Sequence, residues 1–365
     1  MEINEEQTML LETAMSFCRE KSPMTAVREG IAKVATHDGA LWQEMVDLGW
    51  LSVAVPEEMG GLGMGIESTV PIIESMGRYL VSSPYLATTL AIHSIATSGS
   101  EAQQQRWLPA LASGAIGTVA LTETEGSWLL DEVACTATVD TEIRLSGKKC
   151  QVLDVQEADF VVVSVQIDGT ARLVMVTREQ LPRENICREV VIDETRRSYT
   201  LDLNGLTIDE DQVLPGNDFQ AIEQAALLLL TAEMSGGMSA VLHVIVDYLT
   251  TRKQFDQFIG SYQALKHPTV DILLSEEGCK SHVYHAAAVM AEGDPIQTEV
   301  AVRMAKAQAS EAFAYAGDRA VQFHGGFGFT YECDAQLFLR RALWCQHQFG
   351  DERHHRQMLA PLLLD

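Results

Sequence analysis

Hydrophobic residues recur at helical spacing through the first 115 positions. They alternate in short runs over the next hundred and return to helical spacing thereafter. Leu10, Leu11, Ala14, Met15 and Cys18 form one stripe, with Asn4 and Gln7 as its capping pair. Leu41, Met45 and Leu48 form a second, stopped by Gly49. A short extended piece is expected over 51–55, ended by Pro56, and then a glycine-dense loop over 57–65. Helices follow over 67–79, 84–98 and 101–112. After Gly114, strands are expected over 118–122, 132–139, 160–166, 173–176, 198–203 and 212–214. Asp168 and Gly169 mark a hairpin turn, Asn204 and Gly205 another tight turn. Past Pro215, Gly216 and Asn217, long helices are expected over 219–250, 264–292, 298–323 and 334–349. The reading is mainly α with a central β domain, divided as 1–115, 116–215 and 216–365.

Composition narrows the functions open to such a chain. Its 365 residues suit two or three domains at ~100–200 residues each. Acidic residues outnumber basic ones 51 to 26. A net charge of −25 argues against nucleic acid and anionic lipid, which need a positive field. A polyanionic ligand would have to be held by local arginines and backbone N–H groups. The seven cysteines are scattered, with no C-x-x-C pair, and read as free thiols of a reducing, cytoplasmic protein. The acidic start of the chain matches neither a secretory signal nor an Arg-rich transit peptide. Residues 225–246 are apolar over about the roughly 20 residues a bilayer demands. Glu233 and His243 interrupt that stretch, and Gly236 with Gly237 permits close helix contact, so a buried bundle helix is expected.

Several stretches carry candidate chemistry. Arg252 and Phe255 are three apart near a helix end and share a face, with Gln263 shortly after. An arginine grips phosphate bidentately and a phenyl ring covers a flat ring system. Taken alone, such a pair is more often a solvated charge over a core residue. Gln322 precedes Gly325, Gly326 and Gly328, which let backbone N–H groups approach a phosphate or amide, or simply end a helix. The run from Leu121 through Thr122 to Ser127, and the run from Leu145 to Lys149, are strand boundaries or site loops. His282, His285, His324, His354 and His355 lack a carboxylate or cysteine pattern for a metal.

Together these stretches resemble the acyl-CoA dehydrogenase family over essentially the whole chain. The resemblance rests on Gly49 and Trp50 with Val55 to Glu58 and Gly60 to Gly63, on Gly99 to Glu101 with Trp107 to Pro109 and Leu111 to Gly114, and on the 252–263 and 322–330 segments. It implies an α domain, a β-barrel-like domain and a C-terminal four-helix bundle. It also implies FAD as cofactor and an acyl-CoA substrate oxidised to its 2,3-enoyl thioester. In the family a carboxylate takes the α-proton while hydride leaves the β-carbon for the flavin. Each FAD is shared between two subunits. Arg252, Phe255, Gln263, Gln322, Gly325 and Gly326 resemble the half that crosses over to grip pyrophosphate and adenosine. Thr122 and Ser127 resemble part of the ring-holding half.

Departures concentrate in that ring-holding half. Asp256 stands where the family has glycine. The 122–128 loop is one residue short, and Trp128 replaces a carboxylate. Gln151 and Leu153 replace an aromatic and a hydroxyl residue. The position of the usual base is Phe349, before Gly350; the position of the alternative base is Ala226. Glu223, Glu233, Asp351 and Glu352 are the nearby carboxylates that could substitute, so the catalytic residue stays open. The pattern resembles the heteromeric branch of the family, in which two unlike chains pair and which is tied to bulky thioesters such as those of sterol side chains. The expectation is a partner subunit in a heterotetramer. The alternatives are a self-associating, self-sufficient enzyme with a relocated base, or a flavin-free interaction scaffold.

Overall fold

The structure, a computed structural model, describes residues 5–33 and 37–364. Its first segment is helical: α1 (Glu5–Lys21), α2 (Met24–Ala32), α3 (Gly39–Asp47), α4 (Val70–Arg78), α5 (Tyr85–Ser98) and α6 (Glu101–Ala112). Local chemistry sets these boundaries. The Asp38 carboxylate accepts from the Ala40 and Leu41 amides to start α3. Ser100 and Gln103 form a reciprocal capping box on α6. Asn4, the expected cap of α1, lies outside the described residues.

Strands follow: β1 (Gly117–Ala120), β2 (Thr136–Val139), β3 (Ile143–Ser146), β4 (Lys148–Leu153), β5 (Phe160–Ile167), β6 (Thr170–Thr177), β7 (Ile186–Arg188), β8 (Ser198–Asp202) and β9 (Thr207–Ile208). They form two sheets. One runs β1-β5-β2-β3-β9 with β6 also on β5; the other runs β4-β8-β7. Asp168 and Gly169 have φ of 51° and 75° and join β5 to β6 as the expected two-residue hairpin turn.

The remainder is α7 (Phe219–Thr251), a small hairpin of β10 (Lys253–Gln254) and β11 (Gln257–Phe258), then α8 (Gln263–Glu292), α9 (Pro295–His324), α10 (Asp334–His347) and α11 (Glu352–Leu364). Helix α7 is the hub, packed by α4, α8, α9 and α10. It is the one described helix long and apolar enough to cross a membrane, but 89% of its apolar window is buried within the protein. A glycine on each helix lets α7 and α4 approach: a Cβ at Gly236 of α7 would meet the Glu74 carbonyl oxygen at 1.8 Å, and one at Gly77 of α4 would meet that of Glu233 at 2.1 Å.

Two expected strands are corrected. Residues 51–55 are not extended; Trp50–Ser52 is a 3-10 turn after Gly49 at φ 75°. Their carbonyls serve the glycine loop instead, Ser52, Val53 and Val55 accepting from Leu62, Met64 and Gly63. Residues 212–214 are not a strand either: Glu210–Gln212 is a 3-10 turn held by an Asp209–Gln212 capping box, and Val213 alone bridges Val174.

Candidate functional site

The first group of expected site residues gathers where α7 ends and α9 ends. Arg252 is the C-cap of α7 and is exposed. The chain then turns through Phe255 and Asp256, both in the left-handed region at φ 52° and 60°, to pair Gln254 with Gln257. This explains the Asp256 departure: aspartate is among the few residues that tolerate this conformation, so it holds a turn that glycine also suits. Phe255 stands 86% exposed at the hairpin tip. Gln263, also exposed, begins α8.

The glycine segment is tied to this hairpin. Tyr248, whose carbonyl accepts from the Arg252 amide, stacks on His324 at 4.0 Å between ring centroids. His324 directly precedes Gly325, which is left-handed at φ 61°. Gly325 and Gly326 are exposed, and a Cβ at either would meet nothing within 4 Å. Gln322 is exposed one turn back on α9. An exposed guanidinium, an exposed phenyl ring and open glycine backbone thus share one surface, a donor set that fits the diphosphate and a flat base of a dinucleotide.

The second group faces an almost filled cleft. Leu86, Leu90, Thr122, Cys150, Gln151, Leu153, Leu230, Trp344 and Phe349 line a cavity of about 40 Å³. Small-molecule sites run to roughly 300 Å³ or more, so this volume has no room for a flavin ring or an acyl chain. Thr122 lines the cleft, but Ser127 does not: its hydroxyl donates to Glu132 at 2.7 Å. Gln151 sits in a β-bulge at φ 55°, its amide donating to Glu189. Beneath the loop the buried Glu123 carboxylate accepts from Lys149 at 2.6 Å and from the Ala134 and Cys135 amides. Sequence reading gave Glu123 and Lys149 no role; opposite charges on facing strand-edge positions were the available signal.

None of the candidate bases faces the cleft. Glu233 is buried and bonded to both Arg341 and Arg196, and Arg341 also holds Asp193. Burial would push the Asp193 carboxyl up, but Arg341 and Arg196 hold it below its ordinary range. Glu223 is seven residues from the cleft-lining Leu230, roughly 10 Å along the helix axis. It accepts from Arg303 at 2.8 Å; burial raises its carboxyl against that charge. Asp351 caps the His354 amide, and Glu352 accepts from Gln346. Ala226 is buried hydrocarbon.

The comparisons agree with this architecture. The model "Acyl-CoA dehydrogenase, N-terminal domain" matches residues 4–115, and "Acyl-CoA dehydrogenase, C-terminal domain" matches 226–364. The chain is 31% identical to acyl-CoA dehydrogenase IpdE2 of Mycobacterium tuberculosis, over 93% of this chain and 91% of that one. The ChsE4-ChsE5 complex of Mycobacterium tuberculosis superposes with a TM-score of 0.90 at 25% identity, covering 100% of this chain and 98% of the other. The Tcur3481-Tcur3483 steroid ACAD gives 0.89 at 25% identity, with 98% of each chain covered. This chain belongs to the acyl-CoA dehydrogenase family, whose cofactor is FAD.

Proposed function

We propose that this chain is one of two unlike subunits of a heterotetrameric acyl-CoA dehydrogenase, supplying the phosphate-gripping half of a shared FAD site while its own ring-holding corner stays closed. Bound FAD supplies a hydride acceptor for 2,3-desaturation of an acyl-CoA thioester. This chain's residues hold its far end. Arg252 pairs with the pyrophosphate, Phe255 covers a flat ring, Gly325 and Gly326 present backbone N–H groups, and Gln263 and Gln322 frame the segment. The ring half of the pocket and the proton-abstracting carboxylate come from the other chain.

One contrast carries the reading: the gripping surface is assembled and open, whereas the corner that would receive the flavin ring has about 40 Å³ and a phenylalanine in place of a base. The similarity to two solved assemblies named as pairs of chains supports it. A bulky thioester, such as one bearing a sterol side chain, is the proposed substrate class. The free cysteines suit a reducing, cytoplasmic setting. No described carboxylate faces the cleft, which disfavours a self-sufficient enzyme. The intact gripping surface disfavours a flavin-free scaffold.

The test is flavin content. Purified alone, the chain should carry little FAD; purified with a second acyl-CoA dehydrogenase chain, it should yield a single FAD for each unlike pair. Arg252→Ala in that complex should lower FAD affinity at least tenfold, as loss of a charge-assisted phosphate contact implies at about 1.5–3 kcal/mol. A flavin-loaded, active homotetramer of this chain alone would refute the proposal.

A further inference from the structure

The turn between α10 and α11 bears Phe349 and is held with unusual completeness. Phe349 sits at φ 53°, a left-handed conformation that strains a non-glycine residue by roughly 1–2 kcal/mol. Gly350 follows at φ 107°, where a Cβ would strike the His354 ring at 2.5 Å. Such a turn persists only where its surroundings over-determine it.

The surroundings do so from two sides. From beneath, the fully buried Lys306 ammonium donates to the Gly350 carbonyl at 2.7 Å, the Gln346 carbonyl at 3.0 Å and the Ser310 hydroxyl at 3.1 Å. Among the described residues, no carboxylate pairs with it directly. Burial pushes this amine down to about 8, against the more distant charges of Glu352 and Asp351. His355 adds a second donor. Arg303 can only donate, so the His355 Nδ1 it contacts at 3.1 Å accepts, and Nε2 carries the proton toward the Gly350 carbonyl at 3.2 Å. From outside, Trp128 donates its indole N–H to the His347 carbonyl at 3.2 Å and sets its ring edge against His354. The carbonyls of Gln346, His347 and Gly350 are therefore all engaged around Phe349.

We infer that the 346–350 turn is a plug, clamped by Lys306 from within and Trp128 from outside, that keeps Phe349 in the cleft and closes this chain's own flavin corner. Two departures far apart in sequence thereby become one device. The indole that replaces a loop carboxylate holds the backbone on which a phenyl ring replaces a base. This presupposes the divided-pocket reading, whose own test is flavin content. The plug is tested on the flavin-free chain, so the two can fail separately.

Cys150 supplies the readout, because its half-buried thiol lines the cleft. Its alkylation by N-ethylmaleimide, followed by peptide mass spectrometry, reports opening. Amide hydrogen exchange over 346–351 reports release of the turn, with amides of mid-α9 as internal reference. Lys306→Met removes the inner donor and keeps the stem. It should raise exchange over 346–351 and Cys150 labelling roughly tenfold or more, as expected for a charged hydrogen bond, with mid-α9 unchanged. Trp128→Phe should raise both severalfold. Phe349→Ala should by itself raise labelling roughly tenfold, and it tests the plug even where the lysine variant fails to fold. Unchanged labelling in Phe349→Ala would overturn the plug. So would Lys306→Met exchange that rises equally throughout α9, the mark of a merely structural lysine.

Discussion

At the scale of single residues, the buried ionisable groups separate structure from chemistry. Glu233 is the carboxylate that sequence most invites as a relocated base, yet two arginines claim it. Glu233→Gln should cost roughly 3–5 kcal/mol of stability, because it strands buried charge. Urea denaturation would read the loss, while turnover per bound flavin in the assembled complex should not change. A collapse of turnover with stability intact would instead make Glu233 the base. Two imidazoles predict an acid response. Burial pushes His355 down to about 2 and His93 down to about 4. Both are neutral when folded, but protonate in the unfolded chain below about 6.5. The unfolded state then binds more protons, so stability falls as pH drops from about 6.5 toward about 4, by about 1.4 kcal/mol per pH unit for each group. Urea midpoints across that window should show the slope, and His93→Phe should remove its own share; an unaltered slope would place the proton uptake elsewhere.

At the scale of elements, the closest helix crossing sets a stability limit. Gly236→Ala places a methyl group against the α4 backbone and should lose about 1–3 kcal/mol. Gly278→Ala, on α8 with nothing within 4 Å of its Cβ, should gain about 1 kcal/mol. Thermal unfolding of the pair would show opposite shifts in Tm; a Gly236→Ala Tm that stays level or rises would mean the crossing is looser than its geometry. The same contrast explains what was legible in sequence. Long helices with many periods, α7 to α10, are legible to within a few residues. Helix α2 buries only Val27, and α11 only His355 and Leu359, so neither presents an apolar stripe whose period stands out. The 51–55 run is apolar because Leu51, Val53 and Val55 are all buried, which imitates a strand while the backbone follows a 3-10 turn. Short strands such as β3 and β9 are defined by their partners, which one segment does not reveal. For the site, the segments proposed to hold phosphate, 252–263 and 322–330, are each local, so their residue patterns show in the sequence whatever the tertiary packing. That Trp128 touches the turn bearing Phe349 is a property of tertiary packing alone.

At the scale of the whole molecule, surface chemistry and net charge act in opposite directions, and their balance predicts how the chain assembles. The gripping surface is apolar as well as basic: Phe255, Phe258, Phe327 and Phe329 are exposed about it, and Leu274 is 66% exposed on α8. Patches of this kind favour association. Two copies of this chain, however, each bring a net charge of −25. Their repulsion is long-ranged when the Debye length is about 30 Å, near 0.01 M salt, and nearly gone at about 3 Å, near 1 M salt. Self-association should therefore strengthen as salt rises, the opposite of an interface held by ion pairs. Sedimentation of the chain alone across that salt range reads the trend directly. A partner of smaller negative charge would meet less repulsion, so its pairing would depend on salt far less. Self-association that weakens with salt would show that charge complementarity, and not the exposed aromatic surface, brings the copies together.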